Sequence, residues 1–205
     1  FRDPHNYALI NFSMAAARHA SGGILTVSEP YAEQLLSHCG GDGLEHVLAH
    51  KRDRVFGISN GINRPEVDRY LALIAGMEGS SFTTTEELLA AKQRTKLAIQ
   101  ERYGLAISPS ARLVSFVGRM AEQKGLALLT GFVEGRNAST LEDILARHPD
   151  VQVLVAGPLT DGDQASVAMR GTLQYLSALY PGRVRAVFEY VPHSTALEII
   201  FGSSL

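Results

Sequence analysis

Two periods of apolar spacing alternate along the second half of the chain. RLVSFVG (112–118), VQVLVAG (151–157) and VRAVFEYV (184–191) are short runs rich in valine, leucine and phenylalanine, the composition of buried strands. The stretches between them have helical spacing. KGLALLTGFVEG (124–135) begins one helix and TLEDILARHP (140–149) a second. ASVAMRGTLQYLSALYPG (165–182) is a third, ended by Pro181-Gly182, and STALEIIFG (194–202) is a fourth. Strands divided by helices, with starts roughly thirty to forty residues apart, predict βαβ units on a parallel sheet and an α/β fold.

The first half is less regular. GGILTVS (22–28) predicts a buried strand, and Ser28 can cap the helix of EPYAEQLLSH, with Glu29 and Pro30 in its first turn. GGDG (40–43) is a turn, and RVFGISNGI (54–62) is a short strand closed by Asn60-Gly61. From Arg64 the pattern weakens, and GMEGSSFTTT (76–85) is polar and glycine-rich. Thr84 and Glu87 then have capping-box spacing before a long helix that Gly104 stops. The expected organisation is residues 1–62 as the end of one domain and a crossover, 63–85 as a linker or insertion, and 86–205 as most of a Rossmann-like domain.

Composition narrows the chemistry. The chain has 205 residues, 45% hydrophobic and 20% charged, enough for a substantial core. Its net charge of -2 supplies no basic field for nucleic acid, so anion binding must be local. The single Cys39 excludes an internal disulfide and favours a reducing compartment; the expected location is the cytoplasm, a plastid, or the cytosolic face of a membrane-bound parent. Asn137-Ala138-Ser139 would matter as a sequon only in a secreted chain. No run approaches a membrane helix, and no membrane contact is expected from this segment. The chain starts without methionine and stops in an apolar run, so both ends are read as cut from something longer.

The candidate site is VSFVGRMAEQKG (114–125), in which a strand pattern runs into Gly118, then Arg119, then Lys124. Open parallel sheets bind ligands beyond the carboxyl ends of their strands. There a glycine admits close backbone approach, a fork of guanidinium donors suits two phosphate oxygens, and an ammonium adds a point charge. A helix starting near Lys124 would add N-terminal partial charge. The alternative is an exposed loop whose cations are only solvated. The stretch matches neither a P-loop nor the GxGxxG fingerprint.

FVGRMAEQKG resembles the G-R-x4-K-G segment of bacterial glycogen synthases and plant starch synthases, retaining glycosyltransferases of GT-B architecture with two Rossmann-like domains. LTVSEPYAEQLL, FGISNGI, KQRTKLAIQERYGL and INFSMAA resemble further segments of that family in the same order, covering nearly the whole chain. VQVLVAGPLTDGD, YPGRV and FGSSL look like the synthase domain of fungal-type α-1,3-glucan synthases. The resemblance implies transfer of glucose from ADP- or UDP-glucose to an α-glucan, without metal or other cofactor. It implies that Arg119 and Lys124 are the catalytic cations that hold the donor diphosphate, with Gly118 and Gly157 beside them. It also implies that Tyr190 packs on the base; an ordinary strand-end aromatic is the alternative there.

Some family features differ. Asn63 stands where the family usually has Asp, Met14 where it has Lys, and there is no tryptophan. The family's catalytic histidine would lie upstream and its paired glutamates downstream, so this piece is expected to hold half a donor site and to be inactive alone. These departures motivate a second reading, a non-catalytic glucan-binding or regulatory domain. His38, Cys39, His46 and His50 lie close together but lack the H-E-x-x-H glutamate, and Asp161-Gly162-Asp163 reads as a turn.

Overall fold

The computed structural model describes residues 2–75, 82, 84–132, 138–160 and 162–204. The chain divides after Asn63 into two compact units.

In the first unit, α1 (Phe12–His19) begins where the Asn11 side chain accepts the Met14 N–H, and β1 spans Ile24–Thr26. Ser28 caps α2 (Glu29–Leu35) by accepting the Tyr31 N–H at 3.2 Å, as its position before Glu29-Pro30 predicts. A short α3 (Glu45–Ala49) and a 3₁₀ turn (Arg52–Arg54) lead to β2 (Val55–Gly57), which pairs parallel with β1, Ile24 opposite Val55. Lys51 Nζ donates to the carbonyls of Ala17, Arg18 and Ala20 at 2.9, 2.8 and 2.5 Å, which places a cation on the negative end of α1.

The second unit opens with α4 (Arg64–Ala75), a twelve-residue helix that the weak pattern after Arg64 does not announce. Gly76 to Ser81 and Thr83, in the stretch read as a linker, lie outside the described residues, as do Asn137 of the sequon and Asp161. Next comes α5 (Thr85–Arg102), opened by the reciprocal Thr84–Glu87 capping box that the sequence predicts. Then follow β3 (Arg112–Val117), α6 (Leu126–Thr130), α7 (Thr140–Arg147), β4 (Val151–Ala156), α8 (Gln164–Leu179), β5 (Val184–Val187) and α9 (His193–Gly202).

The three strands form a parallel sheet in the order β3-β4-β5. All six residues of the central β4 are buried. Its side chains alternate between two cores, as strand geometry requires. Val151, Val153 and Val155 join Met120, Leu126, Leu141, Leu145, Met169, Leu173 and Leu176 on the side of α6, α7 and α8. Leu154 and Ala156 join Ile99, Leu105 and Ile199 on the side of α5 and α9. Helices therefore cover both faces, the arrangement that suits a central strand buried along its whole length.

Two boundaries differ from the sequence reading. The last strand ends at Val187 rather than residue 191, because its partner ends opposite it at Ala156 and Gly157 turns away. The helix expected over 124–135 is interrupted. Lys124 closes a 3₁₀ turn (Glu122–Lys124), Gly125 sits at φ 75°, and α6 starts only at Leu126. Among the described residues, no helix is long and apolar enough to cross a membrane.

Candidate functional site

The carboxyl ends of β3, β4 and β5 carry the predicted site residues. The Gly118 N–H donates to the Ala156 carbonyl and the Gly157 N–H to the Val187 carbonyl, each at 3.0 Å, so both ladders run one residue past their strands. Gly157 lies at φ 149°, and a Cβ there would fall 1.9 Å from the Gly118 carbonyl oxygen. No other residue fits without moving one of the two strand ends. The glycine pair forms a floor of bare backbone between the two loops.

The loop after Gly118 is fixed from several sides. The Met120 N–H donates to the Pro158 carbonyl at 2.9 Å, and Met120 pairs with Leu159 in a parallel bridge. The Met120 side chain is fully buried in the larger core, and Ala121 is buried too. Arg119, between the strand and these anchors, is exposed. Beyond it the Lys124 N–H donates to the Ala121 carbonyl at 2.9 Å, and the Lys124 side chain is also exposed. Neither cation makes a hydrogen bond or ion pair with a described residue. Because α6 begins after Lys124 and has only five residues, the helix-terminus contribution expected from the sequence is withdrawn; the charge of this edge is the two side chains.

Tyr190 lies three residues beyond β5 at the same edge and is 76% exposed, with no ring contact or hydrogen bond to a described residue. The topology thus brings Gly118, Arg119, Lys124, Gly157 and Tyr190 to one edge of one sheet, and it places Gly118 and Gly157 in direct contact.

The first residues of α8 also belong to this edge, and the sequence reading did not single them out as a site. Asp163, the second acid of the D-G-D turn, caps α8 by accepting the Ala165 N–H at 2.9 Å. The fully buried Ser166 donates its hydroxyl to the Met120 carbonyl and accepts the Thr160 N–H at 3.1 Å. An open cavity of about 490 Å³ is lined by Ala121, Glu122, Gln123 and Asp163. The cap at Asp163 had a sequence signal, a short acidic side chain before a helical run. Ser166 had none, since a serine in ASVAM reads only as a small helix residue.

No family model matches the chain. The glycogen synthase of Exiguobacterium sibiricum is 32% identical over 184 residues, 88% of this chain and 33% of its own length. That of Rhodopseudomonas palustris is 32% identical over 173 residues, 82% of this chain and 30% of its own. The chain belongs to the glycogen and starch synthase family. It spans about a third of the length of the curated glycogen synthases it matches. The fold agrees: the catalytic domain of starch synthase IV from Arabidopsis thaliana, in a structure bound to ADP and acarbose, superposes with a TM-score of 0.71 at 21% identity, over 96% of this chain and 36% of that one. The mixed α/β architecture with parallel sheets is the GT-B catalytic-domain fold of that synthase.

The first unit of this synthase-family chain carries several histidines. His46 and His50 line a cavity of about 270 Å³ with Arg18, Val47 and Lys51, while His38 pairs with Glu45 at 3.2 Å and Cys39 is exposed. Among the described residues no group of three or more His, Cys, Asp or Glu side chains is placed to hold a metal ion.

Proposed function

We propose that the chain contributes the donor half-site of a retaining glucosyltransferase, which moves glucose from ADP- or UDP-glucose to the non-reducing end of an α-glucan. The observation that carries this reading is the pair of exposed, unpartnered cations, Arg119 and Lys124, beyond the carboxyl end of β3. In the transfer, the bond between the anomeric carbon and the diphosphate oxygen breaks and a glucan hydroxyl takes its place. The hydroxyl proton leaves with the nucleoside diphosphate, on which negative charge grows as the sugar departs. Fixed cations stabilise that charge more in the transition state than in the ground state. Arg119 forks onto two phosphate oxygens, Lys124 supplies a point charge, and the backbone floor at Gly118 and Gly157 admits the phosphates closely. Tyr190 offers a ring face to the base. The chemistry requires no metal. Family membership supports the reading, as does a starch synthase structure that holds ADP. A nucleotide-sugar donor and the exposed Cys39 both fit a reducing compartment, cytoplasm or plastid.

The test is a calorimetric titration of the folded chain with ADP, UDP and their glucose conjugates, beside an Arg119→Ala, Lys124→Ala double variant. Saturable binding by the wild type, lost in the variant, is expected, and the tighter nucleotide names the donor. Equal binding by both proteins would refute the site.

A further inference from the structure

We infer that Ser166 is a positioning residue for the donor site: its hydroxyl ties the loop that carries Arg119 to the loop that follows β4. This rests on the donor-site reading above. Four contacts meet around one residue, Met120. The Met120 N–H is held by the Pro158 carbonyl at 2.9 Å, and the Met120 carbonyl accepts the Ser166 hydroxyl. The same hydroxyl accepts the Thr160 N–H at 3.1 Å, and Thr160 Oγ1 lies 3.5 Å from the Met120 carbonyl. Ser166 is fully buried, so water cannot replace it.

A serine hydroxyl has one proton and two lone pairs, and here it joins two loops by using the proton on one and a lone pair on the other. Arg119 is the residue directly before the clamped peptide. Its Cα is therefore held from α8, an element that itself offers no charge to the ligand. Alanine at position 166 would leave the buried Met120 carbonyl with only the long contact to Thr160 Oγ1 and the part-buried Thr160 N–H without its acceptor, so the two loops would keep the Met120–Pro158 bond and the bridge to Leu159 but lose their tie to α8. A displacement of about 1 Å at a charge-stabilising group costs far more function than stability.

The experiment uses the 205-residue chain and four proteins: wild type, Arg119→Ala, Ser166→Ala and Ser177→Ala. Ser177 lies on the same helix, and its part-buried hydroxyl donates only to the Leu173 carbonyl at 2.8 Å, so its loss controls for a missing serine hydroxyl bond on α8. Two readouts are taken, affinity for ADP and UDP, and amide hydrogen exchange. Ser166→Ala is expected to weaken nucleotide binding about tenfold and to lose protection at residues 118–124 and at Thr160. Ser177→Ala should match the wild type in both.

Protection and affinity both unchanged in Ser166→Ala, while Arg119→Ala loses affinity, would overturn the positioning role and leave the donor site standing. Wild-type affinity in Arg119→Ala would instead overturn the donor-site reading. If the unaltered chain binds neither nucleotide, that too counts against the donor-site reading. Exchange then decides the clamp alone, and unaltered protection at 118–124 in Ser166→Ala refutes it.

Discussion

The two ends of the β3-β4-β5 sheet treat polar groups in opposite ways. At the amino ends several long polar side chains are spent on the protein itself. Gln100 donates to Gln152 at 2.7 Å and accepts the Ser108 N–H, and Gln152 donates to the Ala106 carbonyl. Lys96 is bound by the carbonyls of Pro109 and Ala111, and Arg183 by those of Leu145, His148 and Val151. Arg112 forks onto Asp150 at 2.6 and 2.9 Å. At the carboxyl ends Arg119 and Lys124 project unpartnered, over a floor that lacks even Cβ atoms. The same residue types act as struts at one end and as unused donors at the other. What separates them is whether the fold supplies carbonyls and carboxylates within reach.

The strongest way to break this contrast is to remove the unused cations. Arg119→Ala or Lys124→Ala in the full-length protein should lower kcat roughly a hundred- to a thousandfold, about 3–4 kcal/mol of transition-state stabilisation, with an unshifted melting temperature. Equal losses of stability and turnover would show that the carboxyl edge is structural after all. A smaller effect of a different kind is expected at the floor. Gly157→Ala forces a Cβ into the Gly118 carbonyl and should cost about 2–3 kcal/mol of stability together with nucleotide affinity. Calorimetric melting beside a binding titration would read both.

At the amino end the signature reverses. Gln152→Leu leaves one N–H of the Gln100 amide and the Ala106 carbonyl without their Gln152 partner and should lower stability by about 2 kcal/mol in urea titration, with nucleotide affinity unchanged. The smallest effect is a pH dependence at the exposed Arg112–Asp150 pair. Hydrogen bonding to Arg112 holds the Asp150 carboxyl below its ordinary value. Its folded pKa is depressed, so its contribution is present above the unfolded value of about 4 and is lost as pH falls through the folded value. Asp150→Asn should therefore melt slightly below the wild type at pH 7, and the gap should close on acidification toward pH 2; a gap independent of pH would exclude the ion pair as its source.

Much of the frame was legible because local rules and burial agree. Val151–Ala156 is a six-residue run, apolar but for Gln152, and proves buried on both faces, and Thr84 and Ser28 cap the helices their spacing announces. The α4 helix was hidden because RPEVDRYLALIA mixes a proline, four charges and a broken apolar stripe. The end of β5 was misjudged because a strand stops where its neighbour stops, which its own residues do not record. At the site, Arg119 and Lys124 stood out as cations after a strand pattern. That they lack partners, that Gly157 meets Gly118, and that Ser166 grips Met120 are facts of tertiary proximity that no spacing encodes.

Met120 has one further consequence. Its side chain is sunk in the main core and its peptide is bonded on both faces, so folding has already removed the backbone freedom of the residue next to Arg119. Fixing one loop residue on binding would otherwise cost about 1–2 kcal/mol in conformational entropy. Nucleotide capture at this edge should therefore carry a small ordering entropy, confined to the side chains of Arg119 and Lys124, and any ligand that grips them tightens the same hydrophobic core on which they are mounted.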